Sequence, residues 1–190
     1  MGGGLGVRYL AGDEGATISQ HAHALNEMFD KALLARGVAS HPRLTVEPGR
    51  SIAAPAGLTL YTVGTIKVIP GLCTYVAVDG GMSDNVRPVT YGAEYEAFLP
   101  ARAGAARPKV VTIAGKHCEQ GDVLVRDAQL PADVTVGDIL ATPVTGAYAY
   151  SMASNYNKIL RPAVVFVRDG SARLVVRREE ADDLVRLDQA

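Results

Sequence analysis

The pattern of hydrophobic and polar positions changes character near residue 58. Before that point, apolar residues recur at helical spacing over residues 17–36, which predicts an amphipathic helix with Thr17 or Ser19 as its N-cap. The run Arg43–Glu47 then predicts a short strand that a Pro-Gly turn ends. A helix followed by a short strand is typical of an α/β segment.

After residue 58 the chain offers short β-rich runs at close intervals. Gly, Pro, Asn and Asp separate them, which favours an antiparallel sheet or barrel over further βα units. Asp169-Gly170 predicts a hairpin turn, and residues 179–187 predict a short closing helix. The predicted strands are Leu58–Ile69, Tyr75–Asp79, Tyr95–Leu99, Lys109–Ala114, Asp122–Arg126, Asp138–Pro143, Ala163–Arg168 and Ala172–Arg177.

These patterns divide the chain into residues 1–57, of α/β character, and residues 58–190, of β character. A complete (β/α)₈ barrel takes about 250 residues. The first part could therefore be only the last units of such a barrel. The expected fold class is α/β plus all-β: the carboxyl-terminal end of a TIM-type barrel, followed by an antiparallel β-sheet or barrel domain with a short closing helix.

Composition narrows the classes of function. The 190 residues are 48% hydrophobic and carry a formal charge of −1, so we expect neither a nucleic-acid-binding surface nor a membrane partner. Cys73 and Cys118 are too few for a disulfide framework, which makes the cytoplasm the expected compartment. His21 and His23 lie two residues apart on the predicted helix and face different directions, so we predict no metal site there.

Five segments carry candidate chemistry, and each also has a plain structural interpretation. The glycine run could bind a phosphate or form a tight turn, and the other segments could be strand-ending or polar turns. A lone cysteine is more often a small buried hydrophobe than an acid. The segments are GGGLG at 2–6, EPGR at 47–50, VDGGMSDNVRP at 78–88 with YGAEY at 91–95, GKHCEQGD at 115–122, and TGAYAYSMASNYN at 145–157 followed by RPA at 161–163.

Taken in order, these segments resemble the fold-type III pyridoxal-phosphate-dependent amino-acid decarboxylases, over essentially the whole chain. Within that family the pattern is similar to the members that decarboxylate meso-2,6-diaminopimelate to L-lysine and CO₂, the last step of lysine biosynthesis. The resemblance implies pyridoxal 5'-phosphate as cofactor, an amino acid as substrate, and a homodimer with active sites at the subunit interface.

The resemblance also assigns cofactor-binding residues. Main-chain amides of Gly3 and Gly4 match a loop that binds the cofactor phosphate, and those of Gly49 and Arg50 are expected to complete that pocket. Glu47 matches the carboxylate that faces the pyridine nitrogen. A carboxylate there keeps the nitrogen protonated, which lets the ring accept the electrons that decarboxylation releases.

Substrate-binding residues follow from the same resemblance. Arg50 and Arg87 are expected to bind substrate carboxylates, a task suited to the planar guanidinium group. Tyr91 and Glu119 match residues that contact the far end of the substrate, where Glu119 can pair with the distal ammonium group. Tyr148 matches a tyrosine that lies against both cofactor and substrate.

Cys118 matches the family's proton donor, which protonates Cα after CO₂ leaves, and its loop is expected to cross into the neighbouring subunit's site. The chain departs from the family pattern at Gln120, where a small residue is usual. It also lacks the Schiff-base lysine, because none of its five lysines lies in the expected context. The resemblance therefore implies an enzyme of which this chain alone is inactive.

Two alternatives remain open from the sequence. The parent could be a decarboxylase of another basic amino acid, such as ornithine or arginine. The chain could also be a truncated, non-catalytic homologue that binds a full-length partner. In either case we expect residues 1–190 alone to fold poorly or associate, because the barrel remnant would expose strand edges and the apolar face of the predicted helix.

Overall fold

The fold is built from two β-sheets and a set of mostly short helices, in a computed structural model that describes residues 4–189. No helix of this described part is both long and apolar enough to cross a membrane. The strands are β1 (Leu58–Ile69), β2 (Cys73–Val78), β3 (Lys109–Ala114), β4 (Val123–Leu130), β5 (Ile139–Pro143), β6 (Val164–Arg168) and β7 (Ser171–Val176). The α-helices are α1 (Ile18–Ala35), α2 (Arg50–Ala53), α3 (Arg87–Tyr91), α4 (Ala149–Met152) and α5 (Ala181–Val185).

The larger sheet has five strands in the order β4-β3-β2-β1-β5. Strand β1 changes partner along its length, because residues 58–62 pair with β5 and residues 63–69 pair with β2. The register shifts between Val63 and Thr65, and such an irregularity bends a strand. The bend lets the sheet curl around a core of buried side chains, which are Tyr61, Val63, Val76, Val78, Tyr95, Ala97, Leu99, Val111, Ile113, Leu124, Val125, Ala128, Leu130, Val134 and Leu140.

One strand pairing differs from the prediction of an antiparallel sheet. Strands β2 and β3 pair in parallel, with Tyr75 opposite Thr112 and Ala77 opposite Ala114. Parallel neighbours need a long crossover between them, and residues 79–108 supply it. The sheet is therefore mixed, and the long crossover carries almost all of one candidate segment, residues 78–88 with 91–95.

Two predicted strands are absent from the described part of the chain. Residues 41–49 contain no regular element, so the strand predicted at Arg43–Glu47 is not formed. A strand exists only when neighbouring strands satisfy its backbone groups, and none of the described strands pairs there. The run Tyr95–Leu99 makes only a single bridge, between Phe98 and Ala141, although its alternate side chains are buried.

Helix α1 confirms the helix predicted over residues 17–36. Thr17 caps it through a reciprocal capping box with Gln20, whose side chain accepts a hydrogen bond from the Thr17 amide. No side chain of α1 is buried, and Ile18, Met28 and Leu34 are 72%, 66% and 84% exposed. Within residues 4–189 the apolar face that the periodicity predicts is therefore left largely uncovered, although the His41 ring contacts Phe29 with a centroid distance of 5.3 Å.

Strands β6 and β7 form the hairpin predicted at Asp169-Gly170. Both turn residues have positive φ, 50° and 75°, as a tight two-residue hairpin turn requires. The base of the hairpin is closed by Glu179, which accepts hydrogen bonds from the backbone amide and the Nε of Arg161. Helix α5 follows, inside the predicted closing helix.

The hydrogen bonds between Glu179 and Arg161 lead us to predict that the stability of the fold depends on pH. Its hydrogen bonds with Arg161 lower the pKa of the Glu179 carboxyl from 4.5 to about 2. A depressed pKa stabilises the fold above the unfolded value, and the contribution is lost as the pH falls from about 4.5 towards about 2. We expect Glu179→Gln to lower the free energy of unfolding at pH 7 by about 1.5–3 kcal/mol, the scale of hydrogen bonds to a charged group.

Denaturant unfolding of the wild type and the variant between pH 3 and 7 measures this effect. The difference between them should shrink as the pH falls. Asp188→Asn is the matched control, since Asp188 is an exposed carboxylate nearby with no side-chain partner among the described residues. An equal loss of stability at pH 3 and pH 7 would show that the carboxylate charge is not what closes the hairpin.

Candidate active site

Two glycines bring the segment around Arg50 against the segment around Tyr148. The amide of Gly146 donates to the Ala54 carbonyl at 3.1 Å, and Gly57 lies directly beside Gly146. A Cβ added at Gly57 would lie 2.4 Å from the Cα of Gly146, so both positions must lack a side chain. As a result the Arg50 guanidinium lies over the Tyr148 ring, 5.3 Å from its centroid.

Tyr148 itself has a strained backbone. It precedes helix α4 with φ 68° and ψ −10°, in the left-handed region that favours glycine. Such a conformation persists only where the surroundings enforce it, and it often marks a functional site. Here the neighbours Gly146 and Ala149 are fixed by close backbone contact and by burial, and the Tyr148 side chain is left 39% exposed.

Arg87 stands at the centre of a tyrosine cluster. Its Nε donates to the Tyr95 hydroxyl at 3.0 Å, and its Cζ lies 5.7, 5.5 and 5.2 Å from the ring centroids of Tyr9, Tyr91 and Tyr148. Burial raises the pKa of Tyr95, so its hydroxyl stays neutral beside the cation. We call these five residues the Arg87 cluster.

The Arg87 cluster holds a buried cation without an anion. Arg87 is only 9% exposed, yet no carboxylate of residues 4–189 lies within ion-pairing distance of it. Aromatic faces stabilise a cation only partly, and a buried charge normally has a counterion. The guanidinium therefore has the capacity to bind an anionic group of a ligand, and a carboxylate matches its geometry best.

A second polar centre, formed around the Asp122 carboxylate and separate from the Arg87 cluster, fixes the loop that carries Cys118. The Asp122 carboxylate accepts hydrogen bonds from the amide of Met82 at 2.6 Å and from the amide and Nδ1 of His117, both at 2.8 Å. A Cβ at Gly115 would lie 2.1 Å from this carboxylate, which explains the glycine there. These hydrogen bonds fix the base of the loop, and Cys118 within the loop is exposed.

The structure places the predicted site residues in two groups. Arg50, Arg87, Tyr91 and Tyr148 are brought together through the Arg87 cluster. Cys118 and Glu119 are exposed on the clasped loop. Within the described residues no hydrogen bond or ring contact joins Gly4 or Glu47 to either group, whereas Gly49 directly precedes Arg50 in the chain. Gly4 and Glu47 are exposed, Gly49 is exposed at the start of α2, and Gly3 lies outside the described residues.

Part of a pyridoxal-phosphate site fits the residues present. The Glu47 carboxylate is exposed without a partner among residues 4–189, and Gly49 has open space where a Cβ would stand. These groups suit a protonated pyridine and a phosphate, and the Tyr148 ring suits a flat aromatic cofactor. The residues present therefore suit part of a cofactor site. Residues 4–189 do not contain a cluster of side chains suited to a metal ion.

Sequence reasoning missed several residues of these centres. Tyr9 gave no signal, because nothing in its neighbourhood points to Arg87. His117, Asp122 and Tyr156 lie inside quoted segments but were assigned no role. An aspartate among glycines in a short loop is a signal for side-chain to backbone hydrogen bonds, and that signal could have identified Asp122.

Comparison with known proteins gives the class. The family described as "Pyridoxal-dependent decarboxylase, C-terminal sheet domain" matches residues 21–146. The chain belongs to this family, and it carries the family's C-terminal sheet domain.

The relatives within that class are more specific. The chain is 52% identical over 188 residues to the diaminopimelate decarboxylase of Bacillus subtilis and 48% identical over 192 residues to that of Mycobacterium bovis. It superposes with a TM-score of 0.88 and 37% identity on the structure of M. jannaschii diaminopimelate decarboxylase in complex with L-lysine. Each comparison covers 99% or more of this chain but only 42% or 43% of the relative. The chain thus spans less than half the length of the proteins it resembles.

Proposed function

We propose that this chain is the C-terminal part of an enzyme that decarboxylates meso-2,6-diaminopimelate to L-lysine and CO₂. The observation that carries the proposal is the Arg87 cluster, a buried guanidinium with an aromatic surround and no counterion among residues 4–189. Such a group suits a substrate with a carboxylate at the end far from the reaction. Diaminopimelate has that carboxylate, whereas ornithine and arginine do not.

In this proposal the residues of the chain have separate roles in binding the substrate and the cofactor. Arg50 and Arg87 bind substrate carboxylates, and Tyr91 and Tyr148 line the pocket between them. Bound pyridoxal phosphate supplies the electron sink for decarboxylation. Glu47 holds a proton on its pyridine nitrogen, while Gly3, Gly4 and the amides at 49–50 hold its phosphate. These role assignments follow from the family resemblance. The substrate-binding roles are also supported by the proximity of four residues, Arg50, Arg87, Tyr91 and Tyr148.

The two parts of the chain have different roles in this proposal. Residues 1–57 are the last units of the cofactor-binding barrel, and residues 58–190 are the C-terminal β domain. The exposed apolar side chains of α1 and the unformed strand at 43–47 support this division, since both lack neighbours that a whole barrel would provide. The cytoplasmic location expected from the cysteine content stays a prediction.

Cys118 and Glu119 are proposed to act in the site of a second subunit. Both are exposed at the tip of the clasped loop, and no contact joins them to the Arg87 cluster of their own chain within residues 4–189. In a homodimer this loop would supply the proton donor and the carboxylate that pairs with the distal ammonium. Neither group would then need to approach its own Arg87.

An alternative is a non-catalytic homologue that binds a complete partner. The observation in its favour is the missing lysine, without which the chain cannot bond the cofactor. The presence of Glu47, Arg50, Cys118 and Tyr148 favours an active parent.

Expression of the complete gene product that includes this chain tests the proposal. With pyridoxal phosphate and meso-diaminopimelate we expect CO₂ and L-lysine in equal amounts, and no CO₂ from ornithine or arginine. The 190-residue chain alone should release none. Release of CO₂ from ornithine but not from diaminopimelate would show that the substrate assignment is wrong, and a reading frame without an upstream lysine would support the non-catalytic alternative.

A further inference from the structure

Tyr156 connects the Cys118–Glu119 loop to a distant part of the chain. Its hydroxyl donates a hydrogen bond to the Glu119 Oε2 at 3.3 Å. Its ring stacks on the imidazole of His117, with centroids 5.8 Å apart and an interplanar angle of 18°. No role has been given above to either contact, although both lie beside groups proposed to act on the substrate.

The imidazole under Tyr156 is rigidly held. The His117 side chain is fully buried, and its Nδ1 is hydrogen-bonded to the Asp122 carboxylate at 2.8 Å. The same carboxylate is also bonded to the amides of His117 and Met82. A ring fixed at its position and orientation offers Tyr156 a flat surface that limits where the tyrosine ring can lie.

The segment that carries Tyr156 is anchored from its other side. The Asn155 side chain donates to the Ile159 carbonyl at 3.0 Å and to the Glu179 carboxylate at 2.6 Å, and the Ser154 amide donates to the Ser83 carbonyl at 3.0 Å. The Tyr156 hydroxyl is therefore held between an anchored backbone and a fixed imidazole. By contrast, the Glu119 side chain is exposed and would rotate freely without a partner.

We propose that Tyr156, seated on His117, is a positioning residue that orients the Glu119 carboxylate toward the distal ammonium group of the substrate and so favours substrates that carry that group. The proposal rests on the proposed function, because it needs Glu119 to bind the far end of diaminopimelate. It adds a residue that contacts the substrate only through Glu119.

The chemistry of the pair suits this role. The hydrogen bond with Glu119 is the main cause that raises the pKa of the Tyr156 phenol, so the phenol remains a donor under ordinary conditions. A phenol that donates to Oε2 leaves Oε1 and the remaining lone pairs of the carboxylate free for an ammonium group. The Oε2 atom thus fixes the orientation of the Glu119 carboxylate, and the Oε1 atom binds the ammonium group.

The test replaces Tyr156 by phenylalanine in the complete decarboxylase. This variant keeps the ring on His117 and removes only the hydroxyl. Tyr150→Phe is the matched control, since Tyr150 is 52% exposed on helix α4 and makes no hydrogen bond through its hydroxyl within the described residues. Both variants should have the melting temperature of the wild type, which separates positioning from loss of structure.

Two inhibitors that differ in the distal ammonium group give the readout. L-lysine, the product, keeps both the distal ammonium and the distal carboxylate and lacks only the carboxylate of the reacting centre, whereas 2-aminopimelate keeps the distal carboxylate without the distal ammonium. We expect Tyr156→Phe to raise the KM for diaminopimelate and the Ki for L-lysine by about three- to tenfold, the effect of losing one hydrogen bond to a charged group. The Ki for 2-aminopimelate and kcat should change by less than about twofold.

An equal rise in both Ki values, or no rise in either, would overturn the proposal. A separate readout does not depend on catalysis. In protein labelled with ¹³Cζ-tyrosine, the Tyr156 resonance should titrate at lower pH in Glu119→Gln than in the wild type, because this variant removes the carboxylate that raises the pKa of Tyr156. An unchanged midpoint would show that the two side chains are not coupled. If the enzyme does not act on diaminopimelate at all, the proposed function fails, and this titration still decides whether Tyr156 holds Glu119.

Discussion

Replacing Cys118 by alanine should lower kcat of the complete enzyme by about 10²- to 10⁴-fold, the range that a positioned general acid contributes. The loop base is clasped by Asp122, so the exposed thiol is carried on a fixed support rather than on a mobile loop. There it can deliver the proton that takes the place of CO₂ at Cα. The KM for diaminopimelate should change little, because the thiol does not bind the substrate in its ground state.

Cys73→Ala is the matched control for this variant. Cys73 is half-buried at the start of strand β2 and is not one of the proposed site residues, so its loss should leave kcat within about twofold of the wild type. Steady-state kinetics, with CO₂ release and L-lysine formation followed together, measure the effect. A Cys118→Ala enzyme with wild-type kcat would exclude the thiol as the proton donor and would leave the exposed loop without its proposed function.

Local features of the fold were predictable from the sequence. Thr17 and Gln20 stand three residues apart ahead of an apolar periodic run, and that spacing alone specifies a capping box. Asp169-Gly170 between two β-rich runs specifies a hairpin in the same way. In each case the interactions that decide the structure join residues close together in the chain, so the sequence contains all of the information needed.

Features that depend on distant partners were not predictable in this way. The run Arg43–Glu47 has strand character, but a strand needs neighbours, and no described strand lies beside it. The parallel pairing of β2 with β3 depends on how the long connection at 79–108 packs. Hydrophobic alternation predicts that a strand exists, and it carries no information about the direction of its partner.

The same distinction between local and long-range features applies to the candidate site. The family resemblance supplied Arg87 and Tyr148 as substrate-binding residues, and the structure brings both into one cluster. Tyr9 joins that cluster from the opposite end of the chain, and the Tyr156–Glu119 contact likewise links separate segments. Such pairs are set by packing of the whole domain, which one sequence without its three-dimensional contacts does not specify.

The second large effect is expected at Arg87. Replacing it by alanine in the complete enzyme should lower kcat/KM for diaminopimelate by about 30-fold to several thousand-fold, since truncating one partner of a buried charge pair costs about 2–5 kcal/mol. Arg87→Lys keeps the charge but loses the planar fork, so it should recover only part of the activity. Arg173→Ala is the control, because Arg173 also lies over an aromatic ring, that of Phe166, yet on the exposed hairpin.

Mixing variant subunits then separates the contributions of the two chains. If Cys118 acts in the partner's site while Arg87 acts in its own, a dimer of one Arg87→Ala and one Cys118→Ala subunit contains one site with both defects and one intact site. Activity should therefore reappear when the two inactive proteins are mixed and allowed to exchange subunits, and it should not reappear in either protein alone. If the mixture stays inactive although subunit exchange is verified by mass, both residues must serve the same subunit's site, and the exposed position of Cys118 would have to be explained by a movement of its loop.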